Sequence, residues 1–114
     1  MILFLERINP TSMVMRMNKV GGATAFQSEL LKTVRTEFEH NLSQQIYMSS
    51  KSWDAIVRSK EETIKLINVA ATRVNADASA MDLAQSVVTV SAQLSELPTK
   101  AAIDFIKKEI GKEF

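Results

Sequence analysis

Cysteine is absent from this chain, which excludes disulfides, thiolate metal sites and thiol catalysis and says nothing of the compartment. Three glycines and two prolines are too few for the many turns of a β-sandwich or barrel. Neither sign of charge prevails: fourteen Lys and Arg stand against thirteen Asp and Glu, for a formal net charge of +1, and the signs are interleaved along each segment. Nucleic acid and anionic membranes reward clustered cations, so neither is expected as a partner. Long apolar runs are missing too. The opening run Ile2-Leu3-Phe4-Leu5 ends at Glu6 and Arg7, far short of the ~20 residues that span a bilayer, and no membrane span is expected. It also lacks the charged start and small-residue cleavage site of a secretory leader. Export, if it occurs, is expected to proceed without a cleaved leader.

The chemistry of a catalytic site is missing as well. Gly21-Gly22 is not followed by the Lys-Ser/Thr of a phosphate-binding loop, and the single His40 has no cysteine or second histidine to share a metal. It reads as a surface imidazole. A Ser-His-Asp set is not recognisable. The acidic residues fall on the polar faces of the expected helices, where they are read as solvated and not converging in a pocket for acid/base work. The chain is therefore read as not an enzyme, with no cofactor, no metal and no small-molecule substrate.

What is present is helical periodicity. The 114 residues suffice for one domain of ordinary size, expected to be all-α: three to four amphipathic helices forming a helical hairpin or small bundle. Residues 1–22 hold four of the six methionines and are broken by Pro10 and Gly21-Gly22. Thr11 or Ser12 is a candidate cap for a short helix there. Methionine adapts to irregular surfaces, so this segment is expected to be mobile, docking on a partner or strapped over its own core. Residues 23–114 are expected to form the helical domain, with helices at about 24–48, 52–74, 79–97 and 98–111.

Thr24 to Gln27 has the form of a capping box. Phe26, Leu30, Leu31, Val34, Phe38, Leu42 and Ile46 follow mostly four apart, drawing one stripe to about Met48. The second helix starts near Trp53, with Ser50 or Ser52 as cap, and carries Ile56, Val57, Ile64, Ile67, Ala71 and Val74 on one side. Glu61 and Lys65 are spaced for an i,i+4 pair. Trp53 has two readings, a core side chain or an interface anchor. Ser79 to Asp82 is a second capping box.

The clearest pattern runs through residues 83–110. Leu83, Val87, Val90, Leu94 and Leu97 alternate steps of four and three and make a single helical seam. Val87-Val88-Thr89-Val90 favours a strand on propensity, but the helical period is sustained over several turns and prevails. Pro98 kinks the helix or restarts it as a first residue. Beyond it Ala102, Ile103, Phe105, Ile106 and Ile110 form an apolar side, with Lys100, Lys107, Lys108 and Lys112 opposite. Gly111 is the expected stop, with Phe114 folding back. The residues expected to carry interaction are thus Leu83, Val87, Val90, Leu94, Leu97, Ile103, Phe105, Ile106, Ile110 and Trp53. The seam closes either on 26–46 of the same chain or on a neighbouring subunit, and the neighbour is the expectation.

Residues 77–110, a polar opener, then AMDLAQSVVTVSAQLSEL, then Lys100-Ala101 before an apolar helix with Phe105 and Ile106, resemble the C-terminal region of the flagellar FliE family and of the inner-rod (SctI-type) subunits of type III secretion. Residues 26–45 are similar to the upstream FliE helix. Pro98 stands where those families carry Arg, Asn or Ala. The resemblance implies a small bacterial structural subunit, exported without a cleaved leader or held at a secretion apparatus, whose partners are proteins in a homo-oligomer or larger assembly. A second resemblance, on Trp53 between two helices and Phe105-x-x-x-Glu109, is to WXG-type small secreted helical proteins, although Asp54-Ala55 supplies no glycine after the tryptophan. A cytoplasmic helical adaptor or regulator is the third reading.

Overall fold

A single long helix organises the packing. In the computed structural model, which describes residues 2–94 and 96–113 with side chains through 111, this is α4, Ser50–Thr72, and α3, α5 and α6 all lie against it. The others are α1 (Ile2–Arg7), α2 (Pro10–Arg16), α3 (Ala23–His40), α5 (Ala80–Gln93) and α6 (Pro98–Glu113), with a 3-10 turn at Leu42–Tyr47. The all-α expectation holds among the described residues, but three to four helices is too low a number. Ser95 and Phe114, within the expected third helix and the expected fold-back, lie outside the described residues.

The buried positions of α4 are Ser52, Ile56, Ser59, Thr63, Leu66, Ile67 and Ala70, steps of three and four except for the adjacent Leu66 and Ile67. This face is rotated from the expected one: Trp53, Val57, Ile64 and Ala71 flank it, and small hydroxylated residues lie near its centre. Small side chains let a neighbouring backbone approach closely, and α6 answers with buried Thr99 and Ala102. Glu62 and Ser59 share one cavity with Pro98 and Ala102, while Ser52 shares another with Ile106 and Ile110, so α6 runs antiparallel to α4. Glu61 does not reach Lys65 but pairs with Lys60 at 3.0 Å.

Residues 1–22 take the reading of a strap over the chain's own core: α1 and α2 are docked, with Phe4, Leu5, Ile8, Met13 and Val14 fully buried. The reason is covering power: α1 packs on α6 and α3, α2 packs on α5, and neither face would otherwise be shielded from water. The cap of α2 is Asn9, whose side chain accepts from the Ser12 amide, with Pro10 at the first helical position. There proline loses nothing, because that amide has no intrahelical acceptor.

Three helix starts set by local chemistry are found where the sequence placed them, or one residue away. Ser79 and Asp82 close a reciprocal capping box, Pro98 opens α6, and Ser49, next to the expected Ser50, accepts from the Ser52 amide at 3.1 Å. The Thr24 box does not form. α3 starts at Ala23 behind Gly22, without a side-chain cap, because a two-way backbone bridge takes over. The Ala23 amide donates to the Ala78 carbonyl at 2.8 Å and the Ala80 amide to Gly21 at 3.0 Å, tying the starts of α3 and α5 together. Gly21 turns into this bridge at φ 88°, a conformation that favours glycine. Gln27, free of capping, donates to the Asn68 side chain on α4.

The first long helix also ends earlier than expected. Asn41 turns its side-chain amide onto the Glu37 carbonyl at 2.7 Å, and its own amide bonds Phe38, the local competition by which asparagine stops a helix. The chain then winds as a 3-10 turn to Tyr47. Gly111 does not stop α6, which runs on to Glu113.

Candidate interaction surfaces

The expected interaction residues divide sharply. Leu83, Val87 and Val90 are buried among residues of the same chain, on α5, between α2, α3 and α4. The expectation that a neighbouring subunit covers this seam is thereby corrected: α2, α3 and α4 of the same chain close it. Leu94 departs from the seam because α5 ends at Gln93 and Leu94 is extended, at ψ 143°; its side chain is exposed. Leu97, Ile103 and Phe105 are half-buried and Ile106 is buried, whereas Ile110 lies open.

Trp53 takes its core reading. Its ring lies 5.6 Å from that of Phe38, which lies 6.0 Å from Phe4, so one aromatic row joins α1, α3 and α4. Lys60 sits 4.2 Å over the Phe38 ring, a cation–π contact worth about 0.5–1 kcal/mol at a partly exposed site. Nearby, Arg7 donates from Nε to Glu37 at 2.9 Å. That hydrogen bond, and after it the carboxylate's charge, raises the Arg7 pKa above its usual value; the group is charged at any physiological pH in either case. His40 is exposed.

Three of the surface openings have apolar linings of note. The first is a groove of about 400 Å³ between α1, the 3-10 turn and the end of α6, lined by Leu3, Tyr47, Met48, Ile106 and Ile110. Of its lining residues Tyr47 is 80% exposed and Leu3 and Ile110 are also open; Ile46, next to Tyr47 on the turn, is 79% exposed. Leu42 and Ile46 belong to the stripe that the sequence assigned to the core. The break at Asn41 changes the winding from 3.6 to 3.0 residues per turn, and their faces turn outward. The residue that flags this is Asn41, followed by the polar run Ser43-Gln44-Gln45.

The second opening is a shallow depression of about 370 Å³ between α2 and α5, lined by Val14, Met15, Lys19, Met81, Ala84 and Val88, among others. Met15 is 75% and Met81 52% exposed. The methionine-rich segment thus splits its roles: Met13 is core, Met17 is half-buried, and Met15 faces out.

The third is a cavity of about 570 Å³ between the first half of α4 and the start of α6, with Ala55, Ser59, Ala101, Ala102 and Phe105 inside and Arg58 and Glu62 at its rim. Near it the hydroxyls of Ser59, Thr63 and Thr99 are buried without a hydrogen-bond partner among the described residues. An isolated buried hydroxyl costs about 1–3 kcal/mol. Thr63→Val keeps the shape and removes the polar atom. Urea denaturation is expected to show this variant about 1 kcal/mol more stable than the parent; a loss of stability would mean that the hydroxyl is satisfied.

Among the described residues no group of three His, Cys, Asp or Glu side chains is placed to hold a metal ion. No helix among them is long and apolar enough to cross a membrane. The fold and its open faces thus define an all-α chain with a closed core and two separate apolar surfaces. The chain belongs to the family of unknown function DUF7935, whose model matches residues 1–113. No curated protein and no solved structure matches it.

Proposed function

We propose that this protein is a folded helical subunit that assembles with further copies of itself through the apolar groove at Leu3, Tyr47 and Ile110. The observation that carries this reading is the exposure of Ile46 and Tyr47 on a turn beside that groove. Water-exposed aliphatic and aromatic side chains that are contiguous with a concave apolar surface mark an association site. A second copy is the chosen occupant because the net charge of +1 sets up no long-range repulsion between like chains. The resemblance of residues 77–110 to FliE and inner-rod subunits supplies a setting for such assembly, a type III-type export apparatus.

The closed core favours a second reading as well, a cytoplasmic adaptor that is fully folded before it meets its partner. A rod subunit that orders only in the assembled state would leave its apolar seam open, whereas here Leu83, Val87 and Val90 are covered within one chain. Both readings use the same groove. The weight-average mass of the purified protein, followed by light scattering across a concentration series, is expected to rise with concentration. In Ile46→Asp the apparent dissociation constant is expected to increase at least tenfold, the effect of about 1.4 kcal/mol, with the thermal melt unchanged. A parent chain that stays monomeric throughout the series would overturn the assembly reading.

A further inference from the structure

We infer that α6 is a flap, which opens from α4 and α1 as one unit while α1 to α5 keep their common core. The motion does not depend on assembly. What holds each helix in place separates α6 from its neighbours. Arg7 of α1 pairs with Glu37 of α3, Gln27 of α3 donates to Asn68 of α4, and Ser86 of α5 donates to the Ala70 carbonyl of α4. Among the described residues α6 has no such tie: nothing in it makes a hydrogen bond or ion pair with another helix. It is held by apolar contact alone.

That contact is close but thin. The facing side chains are small, and of the described apolar side chains on α6, Ala102 and Ile106 are buried while Ile103 and Phe105 are half-buried. The cavity of about 570 Å³ lies at the start of α6 and the groove of about 400 Å³ at its end, so the helix does not fill the space it covers. The seam also carries a cost. Ser59 is 2% exposed and Thr63 and Thr99 are 0% exposed, with no partner for any of the three hydroxyls among the described residues. Ser59 meets the start of α6, and Thr63, one turn further along α4, continues the same antiparallel seam toward Thr99. Buried polar groups are nearly always hydrogen-bonded, and one without a partner keeps the full loss of its water. When α6 lifts, water reaches these hydroxyls. Exposure of Ala102 and Ile106 is thus offset in part by rehydration, and no hydrogen bond between helices has to break. Units with few buried apolar contacts open well below the free energy of global unfolding. The surface changes with the flap: Ile106, Glu109 and Ile110 form one wall of the groove at Tyr47, so the groove exists while α6 is closed and is lost when it opens.

Hydrogen exchange, read amide by amide by NMR in the full chain with urea raised in steps below the unfolding transition, tests this. The amides of Ala102–Ile106 are the probes, because fraying of the last turn of α6 does not reach them. After correction for sequence they are expected to exchange at least about a hundredfold faster than those of Leu83–Val90 in α5. Two core variants separate opening from unfolding: Val87→Ala, and Val34→Ala if the first does not fold. Either is expected to speed exchange in α5 by about tenfold or more, and to leave Ala102–Ile106 unchanged within about twofold. Thr63→Val is expected to slow Ala102–Ile106 about fivefold, because the closed state no longer buries that hydroxyl. Equal protection of α5 and α6 in the parent, or equal acceleration of both by a core variant, overturns the flap, since α6 then opens only when the whole chain unfolds. A Thr63→Val chain whose α6 exchanges as fast as the parent's overturns the part assigned to the hydroxyls.

Discussion

Replacing Val87 with aspartate is expected to leave the protein unfolded at room temperature. Val87 is fully buried on α5, at the centre of the seam that α2, α3 and α4 cover. A carboxylate placed there loses its water and finds no cation, so it must either stay charged in apolar surroundings or bind a proton, and both are costly. A loss of about 5 kcal/mol or more equals the whole stability of many domains of this size. Thr89→Asp, two residues further on the same helix, is the control: Thr89 is exposed, its hydroxyl donating only to the Gln85 carbonyl, and the expected change is within about 0.5 kcal/mol. Far-UV circular dichroism separates the two. Equal, small effects would show that the covered face of α5 does not hold the fold together.

Phe4→Ala is expected to cost about 3–5 kcal/mol, the range for truncating a buried phenylalanine. Phe4 is 1% exposed and meets Phe38, which in turn meets Trp53. The emission of Trp53, the sole tryptophan, therefore reports on the aromatic row that joins α1 to α3 and α4. Urea titration followed at that fluorescence is expected to show one cooperative transition with a lowered midpoint. A loss under about 1 kcal/mol would mean that α1 is a loose strap, the alternative that the methionine-rich sequence allows.

These two residues also mark where sequence reasoning succeeds and where it stops. Period alone placed Val87 on the apolar face of a helix, because a face is a property of one segment. What covers the face is a property of the whole fold. The seam at Leu83, Val87 and Val90 reads identically whether the cover is α3 or a neighbouring molecule, and only the packing of α2, α3 and α4 on α5 settles it. Capping follows the same division. Ser79 with Asp82, and Pro98, act within one turn and are legible. The failure of Thr24 to cap α3 is not, since the cause is the Ala78 carbonyl, more than fifty residues away along the chain. The candidate groove was the least legible feature. The exposed turn beside it comes from a break at Asn41 that shifts Leu42 and Ile46 out of phase with the stripe they continue in sequence.

The pairing of α1 with α6 joins segments made at opposite times during synthesis. A chain emerging from the ribosome at ~5–20 residues per second has α1 available several seconds before α6 exists. In that interval Phe4 has Phe38 to pack on, but the side of α1 that meets α6 stays open, as does the Ser52–Ser59–Thr63 side of α4. Nascent chains halted before residue 98 are therefore expected to leave uncovered the faces of α1 and α4 that α6 hides in the finished protein.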